Sequence, residues 1–198
     1  SDHACLMGGS PFRLYDSPFT RGEQSIVING LIWMGNYEEM AARVEEKVAA
    51  GFSCIKLKIG AIDYAQERRL IEHLRSRFSP AQLQIRLDAN GAFSPQLAEE
   101  RLADLAPFSI HSIEQPIAAG GWEAMADLCR HSPIPIALDE ELIGHNNTAA
   151  RTRLLDALRP QYLVLKPSLH DGFSGAEEWM ALADERGIGH WCTSALES

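Results

Sequence analysis

Two hydrophobic periods alternate along most of this 198-residue chain. Short apolar runs bounded by turn residues mark strands, and segments with apolar residues every three or four positions mark helices. Residues 25–33 read as a first strand, with Asn29-Gly30 as a bulge inside it. Asn36 then caps a helix over 37–50, in which Met40, Val44 and Val48 stand four apart on one face. The cycle repeats. Strands are expected at 54–58, 84–87, 110–113, 136–138, 162–165 and 190–193. Helices are expected at 63–78, from Ser94 onward with Pro95 in the first turn, and at 122–129, 148–158 and 177–186. Residues 1–24 have no clear period and carry turn clusters at Met7-Gly8-Gly9-Ser10-Pro11 and Asp16-Ser17-Pro18, so they read as a loop or the remnant of a domain connection.

Strand and helix in strict alternation predict an α/β fold with a parallel sheet. Seven strands with six complete helices fit an incomplete TIM-type (β/α) barrel over residues 25–198, since a full barrel needs eight units. An open seven-stranded sheet is the alternative, with edges that need covering.

The polar residues at the strand ends change the picture. Lys58, Asp88, Glu114, Asp139 and Lys166 each stand at the carboxyl end of a strand, spaced 30, 26, 25 and 27 positions apart. In a β/α barrel that end carries the active site. A lone Asp after an apolar run is usually a turn residue or helix cap; five charged residues at the same place in five successive units point to one shared rim. Three carboxylates there suit a hard divalent cation such as Mg²⁺, with Mn²⁺ as the other candidate. No His/Cys set with metal-ligand spacing competes. Lys58 and Lys166 flank the carboxylates and are candidate bases. Lys56 shares the face of Lys58, so period alone leaves both open, with Lys58 nearer the rim. Arg86 shares the face of Asp88 and suits a ligand carboxylate. Asn90 is either a turn residue or a group that orients ligand.

Composition narrows the class. The chain is 45% hydrophobic and 23% charged, ordinary for a globular protein. Its net charge of −9 offers no basic surface for nucleic acid. No apolar run approaches a membrane span. The four cysteines are scattered, without a Cys-x-x-Cys pair, which fits reduced thiols and a cytoplasmic location. A homo-oligomer is compatible with all of this.

The ordered motifs Lys56-Leu57-Lys58, Arg86-Leu87-Asp88-Ala89-Asn90, Ile113-Glu114-Gln115-Pro116, Leu138-Asp139-Glu140 and Leu165-Lys166-Pro167 resemble the signatures of the enolase superfamily, muconate-lactonizing subgroup. Within it, Ser17 to Glu23, Ile28 to Gly35 and Thr193 to Ser198 are similar to the o-succinylbenzoate synthases of menaquinone biosynthesis. The resemblance implies a lyase (hydro-lyase) that dehydrates 2-succinyl-6-hydroxy-2,4-cyclohexadiene-1-carboxylate to o-succinylbenzoate. It implies Asp88, Glu114 and Asp139 as metal ligands and Lys58 as the base that takes a proton alpha to a carboxylate. Lys166 would stabilise the resulting enolate, and Lys56, Arg86, Asn90, Ser194 and Glu197 would bind substrate or support the site. The family's amino-terminal capping domain is missing from this chain, and the motif order ends in the seventh unit. An N-acylamino acid racemase or dipeptide epimerase of the same subgroup is the nearest alternative reading. A Schiff-base aldolase using Lys166 and an inactive structural fragment are the others.

Overall fold

The computed structural model describes residues 15–195. Its strands and helices alternate as β1 (Gly30–Ile32), α1 (Tyr37–Ala49), β2 (Cys54–Lys58), α2 (Tyr64–Arg77), β3 (Gln84–Asp88), α3 (Pro95–Leu105), β4 (Ser112–Glu114), α4 (Trp122–His131), β5 (Ile136–Leu138), α5 (Thr148–Leu158), β6 (Tyr162–Leu165), α6 (Gly172–Asp184) and β7 (Gly189–Cys192). The helix starts follow local chemistry. Asn36, Asp63, Ser94 and Asn147 each accept a backbone N–H from the first turn of the helix they precede.

All strand pairs are parallel, and the sheet order is the chain order. β3 and β7 lie four strands apart, which is about 19 Å in a flat sheet at ~4.8 Å per strand. Yet the guanidinium of Arg86 on β3 sits 4.0 Å from the ring centroid of Trp191 on β7. His111, just before β4, stacks on Tyr162 of β6 with centroids 4.8 Å apart. The sheet is therefore curled, with these side chains on its concave face. It is an incomplete TIM-type barrel, as the sequence predicts.

Strand alternation separates two layers. Ile55, Leu57, Ile85, Leu87, Ile113, Ile136, Leu138, Leu163 and Leu165 join the apolar core that the helices cover, with Met40, Leu70, Leu102, Met125, Leu154 and Trp179 packed from the helix side. The intervening positions face the barrel interior and are mostly polar: Cys54, Lys56 and Lys58 on β2, and Gln84, Arg86 and Asp88 on β3. Burial of the outer layer drives folding. The inner layer gathers the polar and charged side chains.

Four elements depart most clearly from the sequence expectation. The first strand is three residues long, not nine. Gly30 pairs with Ile55, so a longer β1 would run past the start of β2 at Cys54. Ile26, Val27 and Ile28 are left exposed. Asn29 is no bulge; its Oδ1 accepts from the Cys54 thiol at 3.0 Å, and Gly30 begins the strand where a Cβ would stand 2.9 Å from Ile55. β4 is shifted toward its carboxyl end and includes Glu114. α6 starts five residues earlier than expected, because Gly172 and Gly175 are helical. Gly175 is a packing glycine: a Cβ there would lie 1.7 Å from the His170 carbonyl oxygen. β7 begins at Gly189 and ends before Thr193. Residues 15–24 form turns, with Arg21 paired to Asp16 and Glu23. Expectations for residues 1–14 and 196–198, Glu197 among them, lie outside the described residues.

Candidate active site

The strand register does what spacing alone could not. Lys58 stands directly across from Asp88, and Asp88 directly across from Glu114. Glu114 pairs with Ala137, so Asp139 is one inward position further up its strand. Lys166 follows β6 and reaches back: its Nζ donates to Asp139 Oδ2 at 2.6 Å. Lys58 Nζ donates to Asp88 Oδ2 and to Asn90 Oδ1, both at 2.6 Å. Lys56 Nζ lies between two carboxylates, 2.9 Å from Asp88 Oδ2 and in direct contact with Glu114 Oε2. The three lysines and three carboxylates thus interlock in a largely buried cluster.

The protonation states follow from this crowding. Burial raises the Glu114 carboxyl to about 8, helped by the neighbouring Asp88 charge and opposed by Lys56. Burial also pushes Asp88 up, but Lys56 and Lys58 outweigh it and hold Asp88 at about 2. Two carboxyl groups side by side are not equally easy to ionise, and Asp88 takes the charge first. Burial raises Asp139 as well, against the hydrogen bond from Lys166. For Lys56, burial works against the charge, yet Glu114 and Asp88 prevail and raise its pKa. Lys56 is therefore a fixed counter-charge.

A cavity of about 840 Å³ opens on this cluster. Lys56, Lys58, Arg86, Asp88, Asn90, Asp139, Lys166 and Ser194 line it, together with Trp33 and Trp191. Glu114 lies just behind, at 1% exposure. Apart from Glu197, the structure brings together every residue singled out from the sequence.

It also brings in residues that the sequence did not flag. Gln115 is fully buried and binds across from β4 to the end of β5. Asn90 donates through Nδ2 to Glu140 at 2.9 Å, which turns its oxygen toward Lys58. Glu67 on α2 accepts from the N–H groups of Gly60, Ala61 and Ile62, fixing the loop that leaves Lys58; burial raises its pKa against those bonds. His170 Nδ1 accepts from the Lys166 N–H at 3.1 Å, so the ring proton belongs on Nε2. Burial first, then Arg151 and Lys166, lower the His170 pKa to about 4. A Glu one helical turn after a loop, or a His four residues after a rim lysine, is a weak signal for such contacts. Only the folded chain makes it readable.

Comparison with known proteins places this arrangement. Residues 39–198 match the enolase C-terminal domain-like family. The chain belongs to that family. Members of the enolase superfamily include the o-succinylbenzoate synthase of Desulfotalea psychrophila, which is 55% identical over 193 residues, covering 98% of this chain and 52% of that protein. The crystal structure of MenC from Desulfotalea psychrophila LSv54 superposes with a TM-score of 0.87 at 54% identity, over 96% of this chain and 52% of that one. The L-Ala-D/L-Glu epimerase of Bacillus subtilis is 28% identical over 165 residues, 81% of this chain and 43% of that protein. This enolase-family chain thus spans about half the length of the curated relatives it matches.

Two observations bear on a metal. Among the described residues, no group of three His, Cys, Asp or Glu side chains forms a ready-made cage; the carboxylates face the lysines. At the same time Glu114 Oε1 and Asp139 Oδ1 are buried without a hydrogen-bond partner. Buried carboxylate oxygens without partners are costly, and an all-oxygen donor set is what Mg²⁺ takes. The residues fit such an ion. No described helix is long and apolar enough to cross a membrane.

Proposed function

We propose that the protein is an o-succinylbenzoate synthase, dehydrating 2-succinyl-6-hydroxy-2,4-cyclohexadiene-1-carboxylate with Lys58 as base and Mg²⁺ as cofactor in a cytoplasmic pathway to menaquinone. The observation that carries the reading is the convergence of Lys58, Lys166, Asp88 and Asp139 on one cavity. The 55% identity to a named synthase supports the substrate. A lysine or histidine base beside Mg²⁺ is the general pattern of enolase-superfamily sites.

The reaction needs a group to take a weakly acidic proton alpha to a carboxylate. Lys58 sits at the cavity wall on a rigid strand, with its Nζ steered by Asp88 and Asn90. To act as base it must be neutral, so its ion pair with Asp88 must weaken when substrate and cation arrive. Asp88, Glu114 and Asp139 would hold the Mg²⁺, whose charge when bound offsets the negative charge that develops on the substrate carboxylate. The proton taken by Lys58 then leaves with the substrate hydroxyl as water, which closes the proton balance. Lys166, just past the far strand β6, faces the enolate from the other side and would stabilise its charge. Arg86 is a fork-shaped donor for a second carboxylate, and its Nε is buried without a partner in the structure.

An epimerase acting on dipeptides is the second reading. Lysines on β2 and β6 facing one cavity could each serve one face of an alpha carbon, and the Bacillus subtilis relative supports it. The test is to assay the protein at the full length of its gene. Synthase activity predicts growth of aromatic absorbance from the cyclohexadiene substrate, with loss in EDTA and return with Mg²⁺. No aromatic product, with deuterium wash-in at the alpha carbon of L-Ala-L-Glu instead, would replace the synthase reading by the epimerase one.

A further inference from the structure

The ladder between β4 and β5 takes in Glu114 but ends before Asp139. Gln115 N–H donates to Ala137 O at 2.9 Å, and this is the last backbone bond across the pair. Beyond it the chain turns sharply at Asp139, which has φ −125° and ψ −84°. The Gln115 side chain takes over there. Its Oε1 accepts from the N–H of Asp139 and of Glu141, both at 3.2 Å. Its Nε2 donates to Ile117 O at 2.9 Å and to Glu141 Oε2 at 3.3 Å. All four hydrogen-bonding positions of the amide are used, and two N–H groups facing one atom identify that atom as the oxygen. Its carbonyl accepts from Gly91 N–H at 2.7 Å, which ties in the loop after Asp88. The backbone holds φ +37°, a region that costs a non-glycine residue energy. The residue is 0% exposed.

Gln115 follows Glu114 directly and grips the backbone of Asp139. We propose that Gln115 is a positioning residue that sets the distance between the Glu114 and Asp139 carboxylates, and so sets the affinity for the divalent cation. This rests on the metal-dependent reading above. No other side-chain type of this size supplies two acceptor and two donor positions. A Glu would set a carboxylate against that of Glu141, and an apolar residue would release both Asp139 and Glu141.

The test is Mn²⁺ binding, followed by electron paramagnetic resonance of the free ion, in wild type, Gln115→Met and Glu141→Gln, with melting temperatures in EDTA. Glu141→Gln removes a charge from the same network but keeps the Gln115 grip on Asp139. The expected result is at least tenfold weaker Mn²⁺ binding in Gln115→Met. In Glu141→Gln binding stays within threefold, although its melting temperature falls. If Gln115→Met does not fold, Gln115→Asn takes its place, since it keeps a polar amide but is one methylene too short to reach the Asp139 and Glu141 N–H groups. It should show the same tenfold loss. Wild-type affinity in either folded Gln115 variant overturns the proposal, as does an equal loss in Glu141→Gln. Failure of the wild type to bind Mn²⁺ would instead overturn the metal-dependent reading itself.

Discussion

Lys58 Nζ lies 2.6 Å from Asp88 Oδ2, and the two residues are direct cross-strand partners of β2 and β3. The contact joins the proposed base to a proposed metal ligand through one hydrogen bond. Replacing Lys58 with Ala should therefore separate the two roles. We expect Lys58→Ala to lower kcat by at least the roughly 10²–10⁴-fold that a general base contributes, while Mn²⁺ still binds. Stopped-assay kinetics and a direct metal titration check both halves; retention of most of kcat would move the base to another lysine.

Asp139 holds one buried oxygen without a partner and one that accepts from Lys166. Asp139→Asn removes the charge but not the shape. Metal affinity should fall by more than the roughly 10–100-fold typical of losing an outer-shell partner. Isothermal titration with Mg²⁺ and Mn²⁺ measures this, and affinity within threefold of wild type would remove Asp139 from the ligand set.

His170 predicts an acid-sensitive step in stability. Its folded pKa is lowered to about 4, whereas the unfolded value is about 6.5. The unfolded state therefore binds the proton first as pH falls. The stability from the neutral buried ring is fully present above pH ~6.5 and is lost progressively down to pH ~4, by about 3 kcal/mol in all. His170→Gln keeps an acceptor for the Lys166 N–H and has no such proton. Urea unfolding at several pH values should show a steeper loss in wild type than in the variant between these limits.

Gly175→Ala should destabilise the protein although alanine favours helix. The added Cβ would meet the His170 carbonyl oxygen at 1.7 Å, so the start of α6 or the turn below it has to move. A cost of about 1–3 kcal/mol is expected from such overpacking, read from urea midpoints. Alanine at Gly187, where a Cβ meets nothing within 4 Å but φ is +67°, is the control for backbone strain alone.

Much of the architecture is determined by the sequence alone. A period-two run, a turn and a period-3.6 segment in repeated order leave a parallel β/α sheet as the natural solution, and charged residues ending five of the runs point to one shared rim. Caps such as Ser94-Pro95 and Asn36 are local and could be read locally. That Lys58, Asp88, Glu114, Asp139 and Lys166 meet at one rim is legible because each belongs to a repeating unit.

Tertiary structure alone decided the rest, because it depends on partners distant in sequence. The first strand is short because β2 begins at Cys54, which no pattern within residues 25–33 can reveal. The helix over 172–184 starts earlier than its sequence pattern suggests, and only the fold shows why Gly175 is needed there, packed against the His170 carbonyl. Lys56 and Lys58 share a face and a residue type. Only the curl of the sheet and its register give Lys56 two carboxylates and place Lys58 against Asp88 and Asn90. Gln115 shows the limit most clearly. In sequence it is one polar residue before a proline, and its meaning comes from Asp139 and Glu141, which reach it only when β4 and β5 lie side by side.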